Sequence, residues 1–324
     1  MRTGRVPWSV LACEGRPAAR DLERSNVELR CRSVTRIDTI RDMMLDDMPD
    51  VTPAPAPATL RLGTQGWNYA TWIGPFYPDG TRAPDFLRTY ARAFNTVEVD
   101  STFYAIPAAS TVRGWAARTP ESFTFAVKLP QEITHERRFI DAHDVLHAFV
   151  DRMRELGPRL GPVLIQCGPD FSPLERNALQ HFLAELPEAP RFAIEFRQRA
   201  WISQETLAML RESRVALALS DGRWIPREWL LKLCQRPTTD FSYLRWMGPD
   251  RTITDYSHLQ VDRSSELDAW AAMIPVLQGQ VREVYGYINN HFAGHSPASV
   301  RMLQQRLGLK VVDPAGIGEQ SSLF

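Results

Sequence analysis

The sequence predicts a (β/α)8 barrel, TIM-like in size, and three observations predict it. Eight short apolar runs recur from residue 59 onward. Segments with helical spacing separate most of them. Nearly every run ends in a burst of polar or aromatic residues, which is where parallel α/β proteins bind ligands. Strands alternating with helices argue for parallel βαβ units, and eight of them in about 250 residues fit a closed barrel. A doubly wound open sheet would be favoured by a glycine-rich dinucleotide fingerprint after the first strand, and Gly63-Thr-Gln-Gly66 is not that fingerprint.

The predicted strands, in order, are 60–65, 96–100, 123–128, 163–167, 192–197, 215–220, 241–246 and 284–289. The predicted helices are 83–93, 142–156, 174–186, 203–213, 264–277 and 297–307. The first helix rests on the apolar spacing of Phe86, Leu87, Tyr90 and Phe94. Alternation assigns the strand faces. Val97 and Val99 share one face, Glu98 and Asp100 the other; Ala193, Glu195 and Arg197 share a face. By the same parity Lys128 goes with Thr124 and Ala126, Gln166 with Leu164, Arg245 with Tyr243, and Asn289 with Tyr285 and Tyr287. Helices must cover the apolar outer faces, so the polar set points into the barrel mouth. Barrel interiors are usually Val, Ile and Leu, so one polar residue at nearly every strand end is poorly explained as core. The bland reading of the same set is a buried polar network with every charge paired, as burial demands.

The flanks differ from the barrel. Residues 1–58 are rich in charge, lack periodicity and end in a Pro-Ala repeat, so they read as a disordered extension. Met43, Met44 and Met48 precede the repeat, and one of them is expected to be the natural start. The barrel is expected over 59–312 and a short flexible tail over 313–324. The 38 basic and 38 acidic residues cancel, which gives no global field toward nucleic acid or membrane. No apolar run is long enough to span a bilayer. The cysteines, Cys13, Cys31, Cys167 and Cys234, have no metal or redox spacing. The chain reads as a reduced, cytoplasmic protein with no disulfide framework. Arginine supplies nearly all the positive charge; the lysines are Lys128, Lys232 and Lys310 alone. Lysine can lose its proton on burial and act as base or nucleophile, which arginine cannot.

The segments Gly63-Thr-Gln-Gly-Trp-Asn-Tyr-Ala-Thr-Trp-Ile-Gly-Pro-Phe-Tyr-Pro78 and Thr96-Val-Glu-Val-Asp-Ser-Thr-Phe-Tyr104 carry a resemblance. So do Phe125-Ala-Val-Lys-Leu-Pro130 with Ile133-Thr-His135, Gly161-Pro-Val-Leu-Ile-Gln166, and Ala193-Ile-Glu-Phe-Arg197 with Trp201. Tyr243-Leu-Arg-Trp-Met-Gly248 and Tyr287-Ile-Asn-Asn-His-Phe-Ala-Gly-His295 complete it. Together they resemble the YecE-like family, domain of unknown function number seventy-two, over most of residues 61–312. The resemblance implies a TIM barrel and places Glu98, Lys128, His135, Gln166, Glu195, Arg197, Arg245, Asn289 and Asn290 among the motif residues. Asp100 departs from an Asn that many members carry, and Gly168 from a Pro.

The expected catalytic residues are Glu98, Lys128 and Glu195. The expected binding residues are Trp67, Tyr104, His135, Gln166, Arg197, Arg245, Asn289 and Asn290, with Asp100, Asp221 and His291 nearby. Phe76 and Phe103 read as loop packing. A glycosidase needs two carboxylates at a set separation; Glu98 and Glu195 would be the pair, although common barrel glycosidases place theirs after strands four and seven. A divalent ion would need Glu98, Glu195 and Asp221 together. A Schiff-base enzyme would use Lys128. The positive and amide groups suit a phosphate or carboxylate. No cofactor follows from the sequence. The chain ends in Gln320-Ser-Ser-Leu-Phe324, which resembles the motif that docks bacterial repair proteins on the sliding clamp, with Gln320, Leu323 and Phe324 as the contacts. The combined expectation is a barrel that binds an anionic, ring-containing ligand, as a DNA-associated hydrolase recruited by its tail. The alternatives are a non-catalytic nucleic-acid or nucleotide-binding barrel and an enzyme acting on a phosphorylated sugar.

Overall fold

Eight parallel strands close into a barrel in sequence order, β1 to β8. The structure is a computed structural model and describes residues 58–313 and 316–317. Of the extension expected over residues 1–58 only Ala58 is described, and it is buried; the tail residues Gln320, Leu323 and Phe324 lie outside the described residues. The strands are β1 Thr59–Gln65, β2 Thr96–Val99, β3 Thr124–Lys128, β4 Leu160–Gln166, β5 Phe192–Glu195, β6 Val215–Gly222, β7 Phe241–Gly248 and β8 Glu283–Ile288. The helices are α1 Phe86–Ala93, α2 Ala109–Ala117, α3 His143–Met153, α4 Arg176–Ala184, α5 Gln204–Glu212, α6 Arg227–Leu233, α7 Ser264–Gln278, α8 Asn290–Ala293 and α9 Ser296–Arg306. Closure comes from β8 against β1, in register from Thr59↔Glu283 to Thr64↔Ile288.

All eight expected strands are present, as are the six expected helices. Three helices escaped the sequence reading: α2, α6 and α8, the last only four residues long. Helix α2 buries only Val112 and Trp115, and α6 only Leu230 and Leu233. One contact pair per helix is too little to show a period. The expected strand ends at Asp100, Arg197 and Asn289 lie just past the last paired residue. Asp100 opens a 3-10 turn, Asp100–Phe103, and Asn289 caps α8 through its side chain.

Apolar residues on the outer strand faces pack under the helices. Phe86, Leu87 and Tyr90 of α1 are all buried. The Tyr90 hydroxyl accepts from the Thr64 amide at 2.9 Å and donates to the Thr96 carbonyl at 2.9 Å, pinning α1 across β1 and β2. Down the barrel axis the filling departs from the usual branched aliphatics. Ala126, Ala193, Ala216 and Ala218 face Phe241, Tyr243, Tyr285 and Tyr287, with Leu164 between them. Large rings from β7 and β8 reach over small residues from β3, β5 and β6. The rings of Tyr243 and Tyr287 stand 5.2 Å apart, and the Tyr287 hydroxyl meets Thr96 Oγ1 at 2.8 Å. This phenolic layer is the floor of the mouth.

Candidate functional site

Strand parity delivers the polar set to one place. Gln65 is opposite Glu98, Gln166 opposite Glu195, and Arg245 lies between Ser220 and Tyr287 in register. Arg245, 1% exposed, is the hub. Its Nε donates to Glu98 Oε2 at 2.9 Å and its Nη2 to Glu98 Oε1 at 2.7 Å, a bidentate fork. Its Nη1 donates to Glu195 Oε2 and, at 3.4 Å, to Gln166 Oε1. One guanidinium therefore bridges two buried carboxylates. Tyr243 donates to Glu98 at 2.6 Å and Ser220 to Glu195 at 2.5 Å. Arg197 Nε donates to Glu195 Oε1 at 2.9 Å.

The two carboxylates differ in kind. Although burial opposes it, Glu195 is held well below the usual carboxylate range by Arg245, Arg197 and the Ser220 hydroxyl. Burial pushes Glu98 up, against the pull of Arg245, and the charge of Asp100 adds to the rise. Environments that drive two acids apart in this way separate a permanent anion from a group able to hold a proton.

Lys128 sits at the end of β3 and is 7% exposed. Its Nζ has no hydrogen-bond partner among the described residues. It lies 3.8 Å from Asp100 Oδ1 and 3.8 Å from the centroid of the Phe103 ring. Among the described residues Asp100 Oδ1 is itself buried without a hydrogen-bond partner, and it stands 3.9 Å from Arg245 Nη2. Burial pulls the Lys128 ammonium down to about 8, with Asp100 opposing and Arg245 reinforcing the fall. His135 is on a π-helical turn, Glu132–Glu136. Its Nδ1 meets Thr134 Oγ1 at 2.7 Å and its ring stands edge-on to Phe103. Burial lowers its pKa, and the charges of Arg197 and Lys128 lower it further, so both cations act on this imidazole.

Beside Arg197 and Glu195 opens a cleft of about 280 Å³, walled by Arg223, Trp224, Met247, Arg251 and His291. Gly248 makes the turn that brings β7 to this wall. Its φ is 75°, and a Cβ there would stand 2.2 Å from the His291 carbonyl oxygen, so only glycine fits. Asn289 donates to Gln65 Oε1 at 2.6 Å on the opposite side of the mouth. Tyr104 is 71% exposed at the rim.

Some expected residues are not in the mouth. Asn290 accepts from the Ser296 amide at 3.0 Å and its hydroxyl at 2.8 Å, which ties α8 to α9. Trp67 is half-buried, edge-on to Trp115 at 5.8 Å and to Phe125, so it packs the loop onto α2. Asp221 accepts from Arg227 at 2.6 Å and from Trp270 at 2.7 Å, on the helix side of β6. It is therefore turned away from Glu98 and Glu195, and no group of three or more His, Cys, Asp or Glu among the described residues could hold a metal ion. Phe76 is fully buried as expected, whereas Phe103 reaches the mouth instead of the loop core. Gln65, Tyr243 and Ser220 were passed over. Their parity with Glu98, Arg245 and the interior alanines was the available signal.

A family profile described as "Protein of unknown function DUF72" matches residues 61–320. The chain belongs to this family. The protein YunF of Bacillus subtilis (strain 168) is 26% identical over 274 residues, covering 77% of this chain and 95% of YunF. YecE of Escherichia coli (strain K12) is 33% identical over 136 residues, 42% of this chain; that match spans 47% of YecE, less than half its length. A DUF72 family protein of Thermotoga maritima has the same fold, with a TM-score of 0.66 at 24% identity over 77% of this chain and 99% of its own. Among the described residues no helix is long and apolar enough to cross a membrane.

Proposed function

We propose that the barrel mouth binds a small, ring-containing anion, a phosphate or carboxylate compound, held between Lys128 and Arg197 beside His135. One observation carries this reading: the mouth's cations are not equally spent. Arg245 is saturated by Glu98, Glu195 and Gln166. Arg197 commits its Nε to Glu195, and Lys128 Nζ makes no hydrogen bond among the described residues. Charge-assisted bonds from those remaining donors suit a phosphate or carboxylate. Phe103, Tyr104 and Trp224 supply flat faces for a ring. A phosphorylated sugar or a nucleotide has both parts. Glu98 and Glu195 serve to fix Arg245, which leaves no unspent carboxylate pair for a glycosidase. We place the ligand in the cytosol, where the buried free thiols of Cys167 and Cys234 would stay reduced.

Recruitment to DNA is a second reading, carried by Gln320-Ser-Ser-Leu-Phe324 alone. Titration of a peptide covering residues 313–324 against a bacterial sliding clamp tests it; no binding at high micromolar peptide removes it. The mouth reading is tested by calorimetric titration with inorganic phosphate, a sugar phosphate and a nucleoside monophosphate, each organic probe beside its neutral parent. Phosphorylated probes are expected to bind and the parents not to. Equal binding of both, or of neither, ends the proposal.

A further inference from the structure

We propose that Lys128 is an amine nucleophile that forms a Schiff base with the carbonyl carbon of a small anionic aldehyde or ketone. The inference rests on the anion-binding reading of the mouth and names the reactive group of the ligand.

The argument is first geometric. A lysine kept for structure brings its ammonium within hydrogen-bond distance of an acceptor, because an unpaired buried charge is costly. Lys128 does not: both its Asp100 contact and its Phe103 contact are 3.8 Å long. Phe103 shields one side of the nitrogen. Asp100, its Oδ1 buried and unpartnered, stands on another side as a proton acceptor. Composition agrees, since this is one of three lysines in a chain that writes arginine almost everywhere else. A guanidinium stays protonated and does not condense with a carbonyl under the same conditions. Burial brings the amine to about 8, so about a tenth of the molecules hold it free at pH 7.

The chemistry balances without a cofactor. The neutral Nζ attacks the carbonyl carbon, the N–C bond forms, and the π electrons move to oxygen. Asp100 takes the proton that nitrogen sheds and passes it to the oxygen, which completes the carbinolamine. A second proton, from solvent, reaches that hydroxyl; the nitrogen lone pair then expels it as water and leaves a protonated C=N bond, with one proton consumed overall. The ligand's anionic group would rest against Arg197 and His135. Arg245 Nη2 stands 3.9 Å from Asp100 Oδ1.

The test is borohydride trapping on the full chain, followed by peptide mapping. The probes are glyceraldehyde 3-phosphate and ribose 5-phosphate, each beside its unphosphorylated parent. Borohydride reduces the imine to a stable secondary amine whose position is read by mass. Lys232 and Lys310, both exposed, are internal controls in every sample. Labelling of Lys128 is expected to exceed that of either control by at least about tenfold and to rise through about pH 8. Asp100→Asn should slow labelling without ending it, and Lys128→Arg should lose it. Labelling spread evenly over the three lysines, or absent from Lys128, overturns the proposal. If phosphorylated probes bind but leave Lys128 unlabelled, the Schiff base fails and the anion reading stands. If neutral and phosphorylated aldehydes label Lys128 equally, the Schiff base stands and the anion reading fails.

Discussion

Arg245 and Lys128 are both almost fully buried cations in one barrel mouth, and the fold treats them in opposite ways. Arg245 is ringed by acceptors: two carboxylates and an amide oxygen. Lys128 has one carboxylate at long range and an aromatic face. Arginine's charge survives burial, so it can serve as a permanent fixture; lysine's is conditional. The contrast teaches where the molecule is finished and where it waits for something. Saturated groups explain the barrel's integrity, and unsaturated ones point to what it binds.

Breaking the saturated side should have the largest effect. Arg245→Ala would strand Glu98 and Glu195 without their common partner, and removing one member of a buried ion cluster costs about 3–5 kcal/mol. Denaturant unfolding should show that loss, and a loss below about 1 kcal/mol would mean that Arg245 is not the hub.

Substitution on the open side should move stability the other way. Lys128→Met removes a charge that burial penalises and should stabilise the fold by about 1–3 kcal/mol at pH 7 while abolishing anion binding. The pH dependence follows from the sign of the shift. Folding lowers the Lys128 pKa from 10.5 to about 8, so between those values the unfolded chain holds the proton and the folded one does not. The stability of the parent therefore rises through that window, and the advantage of Lys128→Met should shrink there. A pH-independent advantage would show that the gain has another origin.

Arg197→Ala tests the boundary between the two sides. Glu195 would keep Arg245 and Ser220, so stability should fall by no more than about 1 kcal/mol, while affinity for a phosphate ester should drop by about tenfold. A purely structural Arg197 would reverse those magnitudes. Smallest of all, Tyr104→Ala at the exposed rim should leave stability within about 0.5 kcal/mol. It should weaken a ring-bearing ligand by at most about 1 kcal/mol and inorganic phosphate not at all.

Much of this was legible in the chain because a strand has a period of two. Once Val97 and Val99 were set outward, Glu98 had to face in, and the same step placed Gln166, Glu195 and Arg245. What parity cannot give is the partner. Glu98 and Glu195 lie on β2 and β5, and only closure of the barrel brings both to Arg245 on β7. Parity also stops where the strand stops. Asn289 and Asn290 are neighbours in sequence, yet one turns to Gln65 and the other caps the next helix, because the chain changes from strand to helix between them. Loops have no period at all, which is why Trp67 and Phe103 exchanged their expected roles.

The alanine and tyrosine floor has a consequence for cutting the molecule in two. Nearly all the bulk on the axis comes from β7 and β8. The first four strands turn inward Gln65, Thr96, Glu98, Ala126, Lys128, Leu164 and Gln166, mostly small or polar groups. As a separate fragment, those strands would enclose a wet hollow, with Glu98 and Lys128 left without Arg245, Tyr243 or Tyr287. Half-barrels that fold alone and rejoin are therefore not expected from this chain, and neither is a new barrel built by duplicating its N-terminal half. A circular permutation that keeps β7 and β8 within the same polypeptide should be tolerated where a bisection is not.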